Sequence, residues 1–263
     1  MKFFKKSPKI ELIQAKIDAL VARIKAKKPD GFKRFIYAVV ACFFVGYFGV
    51  SPAVKLFMPG DVQELARLRA EMQTIKGREV AEQALGNYTL NMIARTRNKS
   101  RFSAAKKQII ARAVVRVASD LFSTIEEQHA IVAVFAIESE FDRTARSGGS
   151  IAGIGQTTRA SFHEGLKACG LPDASDTDIT ELELGLYASA CYYKGLLVAN
   201  NNDTYMALVA YNQGLYSQSA KTYSANGTLD NTEVLKYISR FTYLTRNVTD
   251  KKDMKKDKAA PHD

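Results

Sequence analysis

The chain has 263 residues, 46% of them hydrophobic and 25% charged, which predicts a globular protein of one or two domains. Residues 1–34 carry +8 of the formal net charge of +11, as nine Lys and two Arg against three acidic residues. Since only +3 is left for the rest of the chain, the charge distribution argues against nucleic-acid binding, and we expect no nucleic-acid partner; binding through the N-terminal lysines alone is the alternative.

The first predicted element is an amphipathic helix over residues 8–28 with a basic face. Its apolar side chains are spaced three and four residues apart, at Ile10, Ile13, Ile17, Leu20, Val21 and Ile24. Such a helix either lies on a membrane surface or pairs with another helix, and the pattern does not choose between the two.

The second element is an uncharged apolar run, Phe35–Val54, bounded by Arg34 and Lys55. A helix of this length spans about 30 Å, the thickness of a bilayer core, so the run predicts an uncleaved transmembrane helix. A buried core helix rarely stays uncharged on all sides, and a signal peptide would start closer to the N-terminus. The basic N-terminal segment then faces the cytoplasm and the bulk of the chain lies across the membrane.

The remaining pattern is almost wholly helical, so we expect a mainly α protein. The predicted organisation is a basic amphipathic segment at 1–34, the span at 35–54, a helical stem and linker at 55–105, a catalytic domain at 106–245 and a charged, disordered tail at 246–263.

One acidic residue, Glu138, ends an apolar helical run and is followed by a Ser/Gly-rich loop that reaches Gln156. A carboxyl group in that position is partly desolvated, which raises its pKa and lets it hold a proton near neutral pH. We therefore predict that Glu138 is a general acid.

Several motifs lie around this residue in a fixed order. They are the pair Glu138 and Ser139, the GxxQ of Gly153 to Gln156, the AYNxG of Ala210 to Gly214, and Glu233 followed by Tyr237. In this order and spacing they resemble the catalytic domain of the soluble lytic transglycosylases, the SLT domain, which has a lysozyme-like fold. The chain departs from the family at Gly155, where Met is common, and at Gln213, where a small residue is usual.

The resemblance implies an enzyme that cleaves the β-1,4 bond between N-acetylmuramic acid and N-acetylglucosamine and leaves a 1,6-anhydro end. It implies Glu138 as acid and base, and it implies Ser147, Gln156, Tyr211, Asn212 and Tyr237 as substrate-binding or positioning residues. Three of these residues also have a structural interpretation: Asn212 as a helix cap or brace, Tyr211 as a core tyrosine, and Tyr237 as a structural residue.

Two neighbouring carboxyl groups are rivals for the acid. On a continuing helix Glu140 faces away from Glu138 by about 200°, whereas Asp142 shares its face. A two-carboxylate site would favour a hydrolytic muramidase, which is the alternative mechanism. Because Arg143 and the Ser/Gly loop follow directly, we expect the helix to end and Asp142 to be a turn or ion-pair residue.

The sequence contains no metal-binding or nucleotide-binding motif, so we expect neither a cofactor nor a metal. The residues His129 and His163 lack partners at ligand spacing. Cys169 and Cys191 are compatible both with a disulfide in an oxidising periplasm and with two buried thiols.

The expected localisation is the bacterial inner membrane, with a single span and a periplasmic catalytic domain; a phage-encoded protein of the same topology fits equally. The expected partners are peptidoglycan strands, the membrane and the proteins of an envelope-spanning or phage entry apparatus. A non-catalytic, peptidoglycan-binding component of such an apparatus is the alternative from another functional class.

Overall fold

The structure is a computed structural model that describes residues 8–26, 60–148, 151–229 and 231–246. The chain divides into two compact units, Met1–Gln83 and Ala84–Asp263. The described part is mainly helical, which confirms the predicted class.

The first unit contains helix α1, Pro8–Ala26, and the first part of helix α2, Gly60–Arg95. One face of α1, with Ile13 and Ile17, packs against Leu65 and Leu68 of α2. The apolar face of α1 therefore has a partner within the chain.

Among the residues that the structure describes, no helix is both long enough and apolar enough to cross a membrane. The predicted span at 35–54 lies outside the described residues. Residues 247–263 of the predicted tail also lie outside them.

The second unit is built around two buried helices. Its elements are α3 (Ala104–Leu121), α4 (Ile125–Glu138), strands β1 (Arg146–Ser147) and β2 (Ile151–Ala152), α5 (Arg159–Ala168), α6 (Leu182–Ala199), α7 (Thr204–Gln213), α8 (Gln218–Asn226) and α9 (Thr232–Arg246). Helix α4 packs against α3 and α9, and α6 packs against α3, α5 and α7. Every residue from 130 to 136 is buried, which explains why the sequence of α4 is apolar all round.

Local capping fixes where α4 begins. The Thr124 hydroxyl accepts a hydrogen bond from the backbone of Glu127, and the Glu127 carboxylate accepts one from the backbone of Thr124. This reciprocal cap satisfies two of the backbone N–H groups that an α-helix leaves without partners at its start.

The core of the second unit begins earlier than residue 106, where the sequence pattern places the start of the domain. Leu85, Tyr88, Met92 and Ile93 at the end of α2 are all buried in this core. The predicted domain start is too late because these few apolar side chains recur at helical spacing within a charged sequence. An exposed helical stem shows the same pattern.

A disulfide joins Cys169, at the end of α5, to Cys191 in α6, with the two Cα atoms 5.9 Å apart. The two helices also approach closely at Gly165, where a side chain would collide with the backbone of Ala188. Of the two states that the sequence allows for these cysteines, the structure has the bridged one.

Candidate active site

Glu138 is the last residue of α4, and three local features end the helix there. Ser139 leaves the helical conformation, and Glu140 and Phe141 both have left-handed backbones, with φ of 54° and 64°. The Ser139 hydroxyl donates to the carbonyl oxygen of Ile154 at 2.6 Å. The end of the helix is thus tied directly to the Gly153–Gln156 loop.

The carboxyl group of Glu138 is partly buried and has one side-chain hydrogen bond. The hydroxyl of Tyr237, on α9, donates to its Oε1 at 2.7 Å. Burial raises the pKa of Glu138 from 4.5 to about 7, although the Tyr237 bond and the positive charge of Arg240 lower it. A carboxyl group with this pKa is protonated in about half of the molecules at neutral pH, as a general acid requires.

Ser147 and Gln156 lie together in the loop beyond Glu138. The Ser147 hydroxyl donates to Gln156 Oε1 at 2.7 Å, and Gln156 Nε2 donates to the carbonyl oxygens of Ala145 and Gly153 at 3.0 and 2.9 Å. The amide of Gln156 is therefore used to brace the β1–β2 hairpin. Within the described residues it has no hydrogen bond to Glu138.

Tyr211 approaches the same loop from α7. Its hydroxyl donates to the carbonyl oxygen of Gly155 at 2.8 Å. Burial raises the pKa of Tyr211 well above its ordinary value, and the negative charge of Glu138 raises it further, so the two side chains are close enough to interact. Asn212 is exposed, and its Oδ1 accepts a hydrogen bond from Gln213 rather than from the loop.

Residues 123–233 match the family model of the transglycosylase SLT domain. This part of the chain is an SLT domain. Family members are lytic transglycosylases, so the domain supports an activity on peptidoglycan in general. The match includes Glu138, Gln156 and Tyr211 but stops before Tyr237. No curated protein and no solved structure significantly matches the chain.

The structure explains one departure from the family pattern. A side chain at Gly155 would collide with the side chain of Ser189 on α6 and with the hydroxyl of Tyr211. In this SLT domain the space beside the loop is thus occupied from α6 and α7, and only glycine fits at position 155.

Sequence reasoning considered Glu140 only as a rival acid facing away from Glu138, and it missed Arg240 near the acid of the SLT domain. The carboxylate of Glu140 is buried and accepts hydrogen bonds from the Arg97 backbone at 2.7 Å, from Arg97 Nε at 2.9 Å and from the Asn98 backbone at 3.1 Å. Burial raises the pKa of Glu140, but these bonds and the charge of Arg97 outweigh it, and the net pKa is lowered. Arg240 follows Tyr237 by three residues, which was the available signal for it.

Asp142 does not share a helical face with Glu138, because α4 has already ended. Its Oδ1 accepts hydrogen bonds from the backbone and the hydroxyl of Thr144 at 2.9 and 2.7 Å, which form a local turn. The helical basis for a two-carboxylate site is therefore absent.

The described residues contain no group of His, Cys, Asp and Glu that could hold a metal ion. His129 stacks on Tyr88 with ring centroids 4.0 Å apart. His163 lies between Asp173 and Asp176, with ring nitrogens 3.0 and 2.8 Å from their carboxylates.

Proposed function

We propose that the protein is a peptidoglycan lytic transglycosylase that cleaves the bond between N-acetylmuramic acid and N-acetylglucosamine and leaves a 1,6-anhydro-muramic end. The observation that carries the proposal is the carboxyl group of Glu138, whose pKa is raised to about 7 by burial and which Tyr237 holds by a hydrogen bond of 2.7 Å. Its position within an SLT domain supports the same conclusion.

Glu138 acts first as the acid. Its proton passes to the glycosidic oxygen, the bond to the anomeric carbon breaks, and N-acetylglucosamine leaves with a free hydroxyl. The hydroxyl of Tyr237 stays on Oε1 and stabilises the carboxylate that forms.

Glu138 acts next as the base. The carboxylate takes the proton of the muramic C6 hydroxyl, and that oxygen attacks the anomeric carbon to close the anhydro ring. The residue returns to its protonated form and no water is consumed. The acetamido group of the substrate can support the cationic centre, so a second protein carboxylate is not needed.

The states of the neighbouring carboxyl groups favour this mechanism over the hydrolytic alternative. Glu140 is held as a carboxylate by Arg97 and Asn98, and Asp142 is occupied by its turn with Thr144. Both groups have structural partners, which leaves Glu138 as the acid of this region.

The test is mass spectrometry of the products that the full chain releases from purified cell-wall sacculi. Glu138→Gln is the inactive variant, and Glu164→Gln, an exposed Glu on α5, is the matched control. We expect muropeptides lighter by one water than the reducing ones, from the parent and the control only. Reducing products would establish the muramidase alternative, and wall binding without release would establish the binding component.

We further propose that residues 35–54 anchor the chain in a bacterial inner membrane with the SLT domain on the cell-wall side. The uncharged run and the basic N-terminus support an anchor, and a role in an envelope-spanning or phage entry apparatus fits the same placement. The alternative is an arrangement in which α1 and α2, which pack against each other, lie on the same side of the membrane.

Labelling with a membrane-impermeant maleimide decides between the two arrangements. The reporters are Leu12→Cys on α1 and Val80→Cys on α2, both exposed, in a chain with Cys42 replaced by Ser. If the chain crosses the membrane once, only Val80→Cys reacts with the maleimide in spheroplasts, whose inner membrane is intact. Reaction at both positions, or at neither, would disprove the single-pass topology.

A further inference from the structure

The guanidinium of Arg240 lies beside the end of α4, next to the proposed acid. Its Nη1 donates to the carbonyl oxygen of Ile137 at 3.3 Å, and its Nη2 lies 3.6 Å from Glu140 Oε1. These two contacts are to residues on either side of Glu138 in the chain. A cation at the C-terminal end of a helix is also favoured by the partial negative charge of the unpaired carbonyl groups there.

Arg240 and Tyr237 are three residues apart on α9, so they project from the same side of that helix. Tyr237 reaches the carboxyl group of Glu138 itself, and Arg240 reaches the backbone just before it. One helix therefore supplies both a hydrogen bond and a positive charge to the same carboxyl group.

Glu140 is the acidic partner of Arg240. Its Oε2 accepts from two backbone N–H groups and its Oε1 from Arg97 Nε, so the carboxylate is fixed independently of Arg240. Its left-handed backbone, with φ of 54°, is a costly conformation for a residue with a side chain. Three hydrogen bonds from Arg97 and Asn98 hold the carboxylate of this residue in place.

Three side chains interact electrostatically with Glu138: Tyr237 and Arg240 on α9, and Tyr211 on α7. The carboxylate of Glu140 lies beside Arg240. Among them Arg240 has the only positive charge, and the Glu140 carboxylate that lies 3.6 Å from it is also paired with Arg97 at 2.9 Å. Loss of Arg240 therefore favours the neutral form of Glu138, whereas loss of the charge on Glu140 leaves Arg240 free to favour the ionised form.

We propose that Arg240 and Glu140 form a balancing ion pair, whose two members act as positioning residues that set the proton affinity of Glu138 in opposite directions. The pair deepens the proposed function and rests on it only for the activity readout. Neither residue touches the reacting atoms, since both act through the carboxyl group of Glu138.

The experiment compares Arg240→Gln and Glu140→Gln with the parent in the full chain. The first readout is the pH dependence of muropeptide release. Because the acid must be protonated, activity falls as the pH rises through the pKa of Glu138. We expect this fall to move up by about half a pH unit in Arg240→Gln and down by about half a unit in Glu140→Gln, since water screens the partly exposed guanidinium.

The second readout does not need activity. It is NMR titration of the Glu138 side-chain carboxyl carbon in protein labelled with ¹³C-glutamate, with the signal assigned by its loss in Glu138→Gln. Arg240→Lys keeps the charge and should titrate close to the parent. Arg112→Gln, an exposed Arg on α3, is the matched control and should leave both readouts unchanged.

Opposite shifts in the two variants support the inference, because simple damage to the site would lower activity without moving the two titrations apart. Shifts in one direction, or no shifts, overturn it. If the parent releases no muropeptides but the titrations separate, the proposed function fails and the ion pair stands. Should Glu140→Gln fail to fold, a shift in Arg240→Gln that Arg240→Lys does not show supports the positive member of the pair, and the absence of that shift overturns the inference.

Discussion

Replacing Tyr237 by Phe removes a single hydroxyl group that the structure places 2.7 Å from Glu138 Oε1. A hydrogen bond to a charged acceptor contributes about 1.5–3 kcal/mol, against about 0.5–1.5 kcal/mol for a neutral one. The bond therefore favours the ionised carboxylate by about 1.2 kcal/mol, which is close to one pKa unit. Since this bond lowers the pKa of Glu138, Tyr237→Phe should raise it from about 7 toward about 8.

The consequence appears in the pH profile of muropeptide release under conditions that measure kcat/KM. At neutral pH the variant should be slower by about tenfold, because the carboxyl group loses its orienting partner. Above pH 7 the parent loses its protonated acid first, so the deficit of the variant should narrow with rising pH. Tyr205→Phe, a partly exposed Tyr on α7, is the matched control.

The reasoning would be refuted if the alkaline fall in Tyr237→Phe stayed at the pH of the parent or moved to lower pH. An unchanged neutral rate would also show that the hydroxyl group does not orient the acid. Unchanged circular dichroism and thermal unfolding of the variant would exclude a folding defect as the cause of any loss.

Three further predictions concern stability. Because the pKa of Glu138 is higher in the folded state, its ionisation destabilises the fold as the pH rises from 4.5 through 7. In urea unfolding, Glu138→Gln should therefore have a higher free energy of unfolding than the parent at pH 8, by at most about 3 kcal/mol, and the same free energy of unfolding at pH 4. Gly155→Ala should lower the free energy of unfolding by about 1–3 kcal/mol, and adding Ser189→Gly should restore part of this loss. If the two substitutions instead gave independent, additive losses in urea unfolding, the collision would be contradicted. Reduction, or replacement of Cys169 and Cys191 by Ser, should lower the free energy of unfolding by about 3 kcal/mol for a bridge between residues 22 apart, and an unchanged urea midpoint would argue against the bridge.

Some features of the site follow from short stretches of sequence. The apolar run of α4 ends at Glu138, the Ser/Gly loop follows at once, and the capping box at Thr124 marks the beginning of the helix. Helix formation, capping and turn formation depend on neighbours within a few residues, so such patterns can be read directly. The family resemblance of residues 123–233 likewise rests on short motifs in order.

Other features could not be read from those patterns. The separation of Glu138 and Glu140 on a helical wheel assumed that the helix continued, whereas the left-handed Glu140 and Phe141 end it. The start of the second unit at Ala84 and the state of the two cysteines both depend on which helices pack together. Packing of this kind joins residues far apart in the chain, and local periodicity does not record it.

Sequence patterns alone predict a mainly helical protein with an acid candidate, Glu138, at the end of an apolar helix. The groups that act on that acid depend on how the helices pack. This packing brings Tyr237 to Glu138 across 99 positions of the chain, places Arg240 beside the same helix end and fixes Glu140 through Arg97. A pKa depends on burial and on charges within a few ångströms, and these distances are set by packing between helices that lie far apart in the sequence.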